Sequence, residues 1–151
     1  MKAAVCYYSR HHGNTLKVLE AMTAEGELDL IDVTSRAAVR LDGYDAVGFA
    51  SGIYYGKFHE TVIGFVDHYL PQGKDVFFVY TCGSMRRGYT KAVAGAAAAK
   101  GARVLGEYGC LGYDTFGPFK LVGGSAKGRP NGQELQAARE FYRALKGGGH
   151  V

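Results

Sequence analysis

The chain contains no tryptophan, only three cysteines, and no apolar stretch approaching the length of a membrane span. Each scarcity excludes something. A membrane helix needs roughly 18 or more apolar residues in a row, so none is expected. The opening MKAAVCYYS is too short, and too polar at its end, for the apolar region of a signal peptide, which makes the cytoplasm the expected location. Cys6, Cys82 and Cys110 are odd in number and form no C-x-x-C pair, so free thiols are expected rather than a disulfide framework or a zinc site. Neither Walker A spacing nor G-x-G-x-x-G occurs, which weakens ATP and NAD binding of those kinds. Arg10 follows Cys6 after only three residues, whereas the small cysteine phosphatases need five. No residue set has the pattern of a hydrolytic triad, a metal centre or a carboxylate pair, and no acid–base catalyst is assigned.

What is present fits one domain. A length of 151 residues supports a single core, and 47% hydrophobic with 21% charged residues is the composition of a globular chain. We expect one domain over residues 1–146 and a flexible tail over 147–151. Eleven Tyr and eight Phe supply stacking surface. Charge is uneven: residues 1–75 hold 7 Lys/Arg and 10 Asp/Glu, a net −3, and residues 76–151 hold 11 and 4, a net +7. That imbalance suits an acidic partner but is too modest to imply nucleic-acid binding.

Strand and helix patterns alternate. KAAVCYY reads as a strand buried on both faces, LDLIDV (28–33) as an alternating strand, YDAVGFAS (44–51) as another buried run, and KDVFFVYT (74–81) and ARVLGEYGC (102–110) as the fourth and fifth strands. Helices are expected over 14–24, 58–70, 88–100 and 131–146, the last starting from Asn131 as its cap after Pro130. Five β-then-α units imply a doubly wound α/β sandwich around a parallel sheet. Ligands then bind at the carboxyl ends of the strands, in the loops 9–15, 51–57, 82–88 and 111–130.

The first loop, Ser9-Arg10-His11-His12-Gly13-Asn14-Thr15, places hydroxyls, an amide and backbone N–H groups at a helix start, where an anion is favoured. It resembles the phosphate loop of the flavodoxin family, Ser/Thr-x-Thr-Gly-x-Thr, keeping the first hydroxyl, the glycine and the final threonine, with histidines in the middle. The second loop, SGIYYGKFHE, resembles the flavodoxin segment that covers the isoalloxazine ring. The resemblance implies contacts from Ser51, Gly52 and Ile53, stacking by Tyr54 or Tyr55, and a flippable peptide at Gly56 beside Lys57. After the fourth strand, Thr81-Cys82-Gly83-Ser84 matches the family's contact with the pyrimidine edge. Met85, Arg86 and Arg87 then stand where the family often has acids and a second stacking tyrosine, a role left to Tyr113 or Phe116 of the long loop.

The resemblance implies a flavodoxin-like fold with a five-stranded parallel sheet in the order 2-1-3-4-5, and FMN as cofactor. The expected role is electron transfer to or from a redox partner protein, an acidic, ferredoxin-like one being suited to this charge. A small NAD(P)H-dependent flavin or quinone reductase and a flavodoxin-like module without flavin are the alternatives. Family members usually surround the flavin with carboxylates; here Lys57, Arg86 and Arg87 stand nearby. One charge ~8 Å away at an effective dielectric of ~20 is worth roughly 2 kcal/mol, on the order of 90 mV, so a less strongly reducing flavin is expected.

Overall fold

The apolar runs become the strands of one sheet. The computed structural model describes residues 1–10, 12–35, 37–114 and 124–148. Its strands are β1 Ala3–Tyr8, β2 Leu28–Asp32, β3 Ala46–Tyr54, β4 Lys57–Phe58, β5 Asp75–Cys82 and β6 Arg103–Leu111. Its helices are α1 Asn14–Met22, α2 Glu60–Tyr69, α3 Lys91–Ala98 and α4 Gly132–Lys146, with a 3-10 turn at Thr23–Glu25 after α1. His11, Phe116 with the rest of 115–123, and the end of the expected tail lie outside the described residues.

The five long strands run parallel in the order β2-β1-β3-β5-β6, which is the expected 2-1-3-4-5 once the short β4 is set aside. β4 pairs antiparallel with the end of β3, Ile53 opposite Phe58 and Tyr54 opposite Lys57. Two expectations change. β2 leads into β3 through 33–45 with no helix among the described residues, so the four expected helices serve five strands and the β-then-α alternation is broken once. The segment 51–57 is not an open loop but the continuation of β3 and its return.

Strands without a polar face need cover on both sides. On one side Val18, Leu19 and Met22 of α1 and Phe141, Tyr142 and Leu145 of α4 pack over Val5, Phe77 and Val79. On the other, Val62, Phe65 and Val66 of α2 and Val93 and Ala97 of α3 pack over Cys6, Phe49 and Phe78. Asn131 caps α4 as expected: its side chain accepts from the Glu134 N–H (3.0 Å), and the Glu134 carboxylate accepts from the Asn131 N–H (2.8 Å).

The amino-terminal edge of the sheet is tied strand to strand. The Lys2 N–H donates to the Asp45 carboxylate (2.7 Å) and the Asp45 N–H to the Lys2 carbonyl (2.8 Å). Lys74 Nζ donates to the carbonyls of Asp42 (3.1 Å) and Tyr44 (2.8 Å), and the Lys74 carbonyl accepts from the Arg103 N–H (3.0 Å). At the opposite edge the chain leaves β1 toward β2 and β3 toward β5. The connections diverge between β1 and β3, and a crevice opens there.

Candidate functional site

The first wall of the crevice is the turn from β1 into α1. His12 (φ 60) and Gly13 (φ 67) adopt left-handed conformations in succession, and Gly13, as N-cap, has no side chain to satisfy the first turn of α1. Ser9 Oγ accepts from the Leu16 N–H (3.2 Å), which leaves the hydroxyl proton to donate. The first turn carries no acid. Backbone donors, a hydroxyl and the positive end of the helix dipole therefore converge where an anion is stabilised.

Asn14 and Thr15 are buried and anchor this turn to distant chain. Asn14 Nδ2 donates to the Tyr113 carbonyl (2.7 Å), while its Oδ1, also buried, has no partner among the described residues. Gly112 permits that approach, because a Cβ there would meet Asn14 Nδ2 at 2.8 Å and its Cγ at 2.9 Å. The hydroxyls of Thr15 and Thr81 lie 2.9 Å apart and satisfy each other. The exposed His12 ring tilts against Tyr113 at 4.6 Å. Arg10 turns away from the helix start, donating to the Thr34 hydroxyl, 3.7 Å from the Asp32 carboxylate and over the Tyr8 ring. Burial pushes the Asp32 carboxyl up, but hydrogen bonds from Thr34 and the Arg10 charge outweigh it and hold it below its ordinary value.

The second wall is a hairpin. β3 runs through Ser51, Gly52, Ile53 and Tyr54, and the chain reverses at Tyr55 (φ 52) and Gly56 (φ 80) before β4. Two successive positive φ values are the signature of a two-residue type I′ turn, which Gly56 enters without a Cβ penalty. Ser51 is fully buried; its Oγ accepts from the His59 N–H (3.0 Å) and donates to the Gly52 carbonyl. Tyr54 packs edge-on against Tyr8 (5.9 Å) and His59 (5.1 Å), and burial pushes its phenol up to about 12. Tyr55 is 89% exposed. Of the two tyrosines, Tyr54 faces the crevice. Lys57 Nζ lies 3.7 Å from the Glu60 carboxylate, which offsets part of its field.

The end of β5 supplies the floor. A cavity of about 20 Å³ lies between Asn14, Gly52, Tyr54, Thr81, Cys82 and Tyr113, with Ile53 also on its lining. The Gly83 carbonyl accepts from Ser125 Oγ (2.8 Å) and the Ser84 carbonyl from the Tyr89 hydroxyl (2.7 Å). Met85, Arg86 and Arg87 line a separate groove with Tyr80 and Glu107. Because Thr81 is the register partner of Cys110, Cys82 and Cys110 point to opposite faces of the sheet. Burial pushes their thiols up to about 11 and about 12, away from thiolate chemistry near neutral pH.

Of the expected site residues, Asn14, Gly52, Ile53, Tyr54, Thr81, Cys82 and Tyr113 line the small cavity together, while Ser9, Arg10, Gly13, Thr15, Tyr55 and Lys57 lie outside it. Sequence reasoning missed His59, although its position two residues before Thr61, at the start of a helical pattern, is that of a cap. It also missed the antiparallel bridge of Asp114 with Ser125, which has no periodic signal.

Comparison with known proteins follows the same lines. The family model described as Flavodoxin domain matches residues 4–108. An uncharacterised protein of Methanocaldococcus jannaschii is 35% identical over 147 residues, covering 96% of this chain and 98% of the relative. Among solved structures, a flavodoxin from the domain Archaea has 21% identity and a TM-score of 0.74 over 98% of each chain. Oxidised Flavodoxin 2 from Bacillus cereus has 16% identity and a TM-score of 0.71, over 98% of this chain and 99% of that one. The Fusobacterium nucleatum flavodoxin bound to flavin mononucleotide has 12% identity and a TM-score of 0.66, over 99% of each.

Proposed function

The chain belongs to the flavodoxin family, and from that premise we propose that it binds flavin mononucleotide at the carboxyl ends of β1, β3 and β5 and serves as a cytoplasmic electron carrier. The observation that carries this reading is the meeting of two unlike walls in one crevice: a helix start rich in donors and free of acids, and a hairpin that turns Tyr54 inward. Among the described residues no helix is long and apolar enough to cross a membrane.

The residues present fit the group. The N–H groups opening α1 and the Ser9 hydroxyl would hold the phosphate. The unpartnered Oδ1 of Asn14 is an acceptor in want of a donor, and the flavin's sugar-alcohol chain carries hydroxyls. Tyr54 would face the ring, and Gly56 would present its backbone at the ring edge. Bound flavin supplies reversible electron chemistry; the protein supplies placement and field. Arg86 and Arg87 are exposed on the same edge and Lys57 is only partly offset by Glu60. Positive charge there favours the anionic reduced form and an acidic, ferredoxin-like partner.

Mixing the protein with FMN and removing the excess by gel filtration tests the reading. Retained absorption near ~370 and ~450 nm, expected of protein-bound oxidised flavin, supports it; a colourless protein overturns it in favour of a module without flavin. A redox titration of the loaded protein should give a couple less reducing than that of acid-rimmed flavodoxins. The groove holding Met85, Arg86 and Arg87 favours a second reading, reduction of the flavin by NAD(P)H, with the arginines on the nucleotide phosphate. Rapid mixing with NADPH separates the two, since a carrier stays oxidised.

A further inference from the structure

We propose that His59 is the residue that fastens the Tyr54–Lys57 hairpin in position for the flavin, and that it does so only as the neutral imidazole. The proposal rests on the flavin reading for its ligand, and on the geometry around one side chain for its mechanism.

His59 is where three structures are joined. Its N–H donates to Ser51 Oγ (3.0 Å), fixing the base of the hairpin. Its Nδ1 accepts from the Thr61 N–H (3.1 Å), capping α2. Its ring lies flat on Tyr8 at the end of β1, with centroids 3.9 Å apart and planes 11° apart, and meets the edge of Tyr54 at 5.1 Å. An open cleft of about 490 Å³ lies against the hairpin, bordered by His59 together with Tyr8, Tyr54, Tyr55, Lys57 and Glu60, so the hairpin adjoins free space if this fastening opens.

The cap requires a lone pair on Nδ1, which puts the proton of the neutral ring on Nε2. Protonation turns Nδ1 into a donor facing the donor N–H of Thr61, and sets a cation at the positive end of α2. The surrounding groups do little to stabilise that cation. Tyr8 faces the ring from β1, itself approached by the Arg10 guanidinium (5.7 Å); Tyr54 faces it from β3; Lys57 stands on β4. Glu60, on α2, is the one acid among them and already lies 3.7 Å from Lys57. Burial lowers the imidazole's pKa below its ordinary 6.5, against the opposing pull of Glu60. A histidine whose folded-state value is depressed contributes its stabilisation above the ordinary value, and that contribution is lost as pH falls through the depressed one. The hairpin therefore loosens on the acid side of 6.5.

The test compares the wild type with His59→Asn, which keeps a good N-cap that does not titrate. FMN dissociation constants are measured for both by fluorescence quenching from pH 8 to pH 5. Titration of the flavin phosphate is common to both proteins and cancels in the ratio. Wild-type affinity should fall relative to H59N by about fivefold, the ordinary worth of a helix N-cap; a ratio constant with pH overturns the proposal. A second readout uses the flavin-free wild type: the Gly56 amide resonance should shift with the titration of the His59 ring, and a Gly56 amide indifferent to it overturns the proposal independently. If neither protein binds FMN at any pH, the flavin reading fails, and the Gly56 titration alone decides whether His59 fastens the hairpin.

Discussion

The two walls of the crevice are built on opposite plans. The turn into α1 is anchored by buried side chains, Asn14 to the Tyr113 carbonyl and Thr15 to Thr81, and what it offers a ligand is mostly backbone. The hairpin is anchored by backbone geometry and by His59, and what it offers is a side chain, Tyr54. Anchors that reach 99 and 66 residues along the chain make the first wall part of the core. A two-residue turn makes the second a local structure. A site of this kind keeps one half fixed and lets the other adapt.

Substitutions can break this contrast or sharpen it. The largest effect is expected from Gly112→Ala, whose Cβ would press on Asn14; overpacking of this sort costs about 2 kcal/mol. It should lower the urea midpoint and weaken FMN binding while leaving the Gly56 amide resonance in place. Thr15→Val leaves the Thr81 hydroxyl buried without its partner, a loss of about 1–2 kcal/mol. The double variant T15V/T81V should recover part of it in chemical unfolding, which is the signature of a coupled pair. Gly56→Ala meets no atom within 4 Å and suffers only the strain of φ 80, about 1 kcal/mol. Its cost should be smaller than that of T15V; the reverse order would mean that the hairpin is as firmly built as the first wall.

Acid should separate the walls with the smallest change near neutral pH. Burial raises the Glu134 carboxyl, but hydrogen bonds from Arg129 and the N–H groups of Asn131 and Leu111 outweigh that and hold it below 4.5. Its contribution is complete above the ordinary carboxylate range and is lost as pH falls through the lowered value. Leu111 adjoins Gly112, so the side of the site that holds Asn14 should keep its amide spectrum down to about pH 4.5, after the hairpin has begun to respond below 6.5.

Strands β1, β3 and β5 were legible as nearly continuous apolar runs and β2 as an alternating pattern, and α4 through Pro130, Asn131 and the spacing of Leu135, Phe141 and Tyr142. The sequence did not reveal β4, since two residues carry no periodicity. Without β4, the choice between Tyr54 and Tyr55 stayed open: strand alternation and a left-handed turn decide it, sending Tyr54 inward and Tyr55 into solvent. No helical pattern lies between β2 and β3, and among the described residues none is there: Val33 and Leu41 of that segment pack on the core instead. Residue types in the first loop were readable; their allegiance was not. Thr15 has the place of a ligand hydroxyl in the motif, yet it bonds Thr81, a partner 66 positions away that no local pattern names.

The ties along the amino-terminal edge of the sheet, from Lys2 through Asp45 and Lys74 to Arg103, have a further consequence. They join the starts of four strands into one cooperative unit, so transient opening of the native protein is confined to the other end. Amide hydrogens at that tied edge should be released to solvent only by global unfolding, while those near the crevice exchange through smaller excursions. A ligand entering the crevice therefore orders the hairpin wall against a scaffold that is already complete.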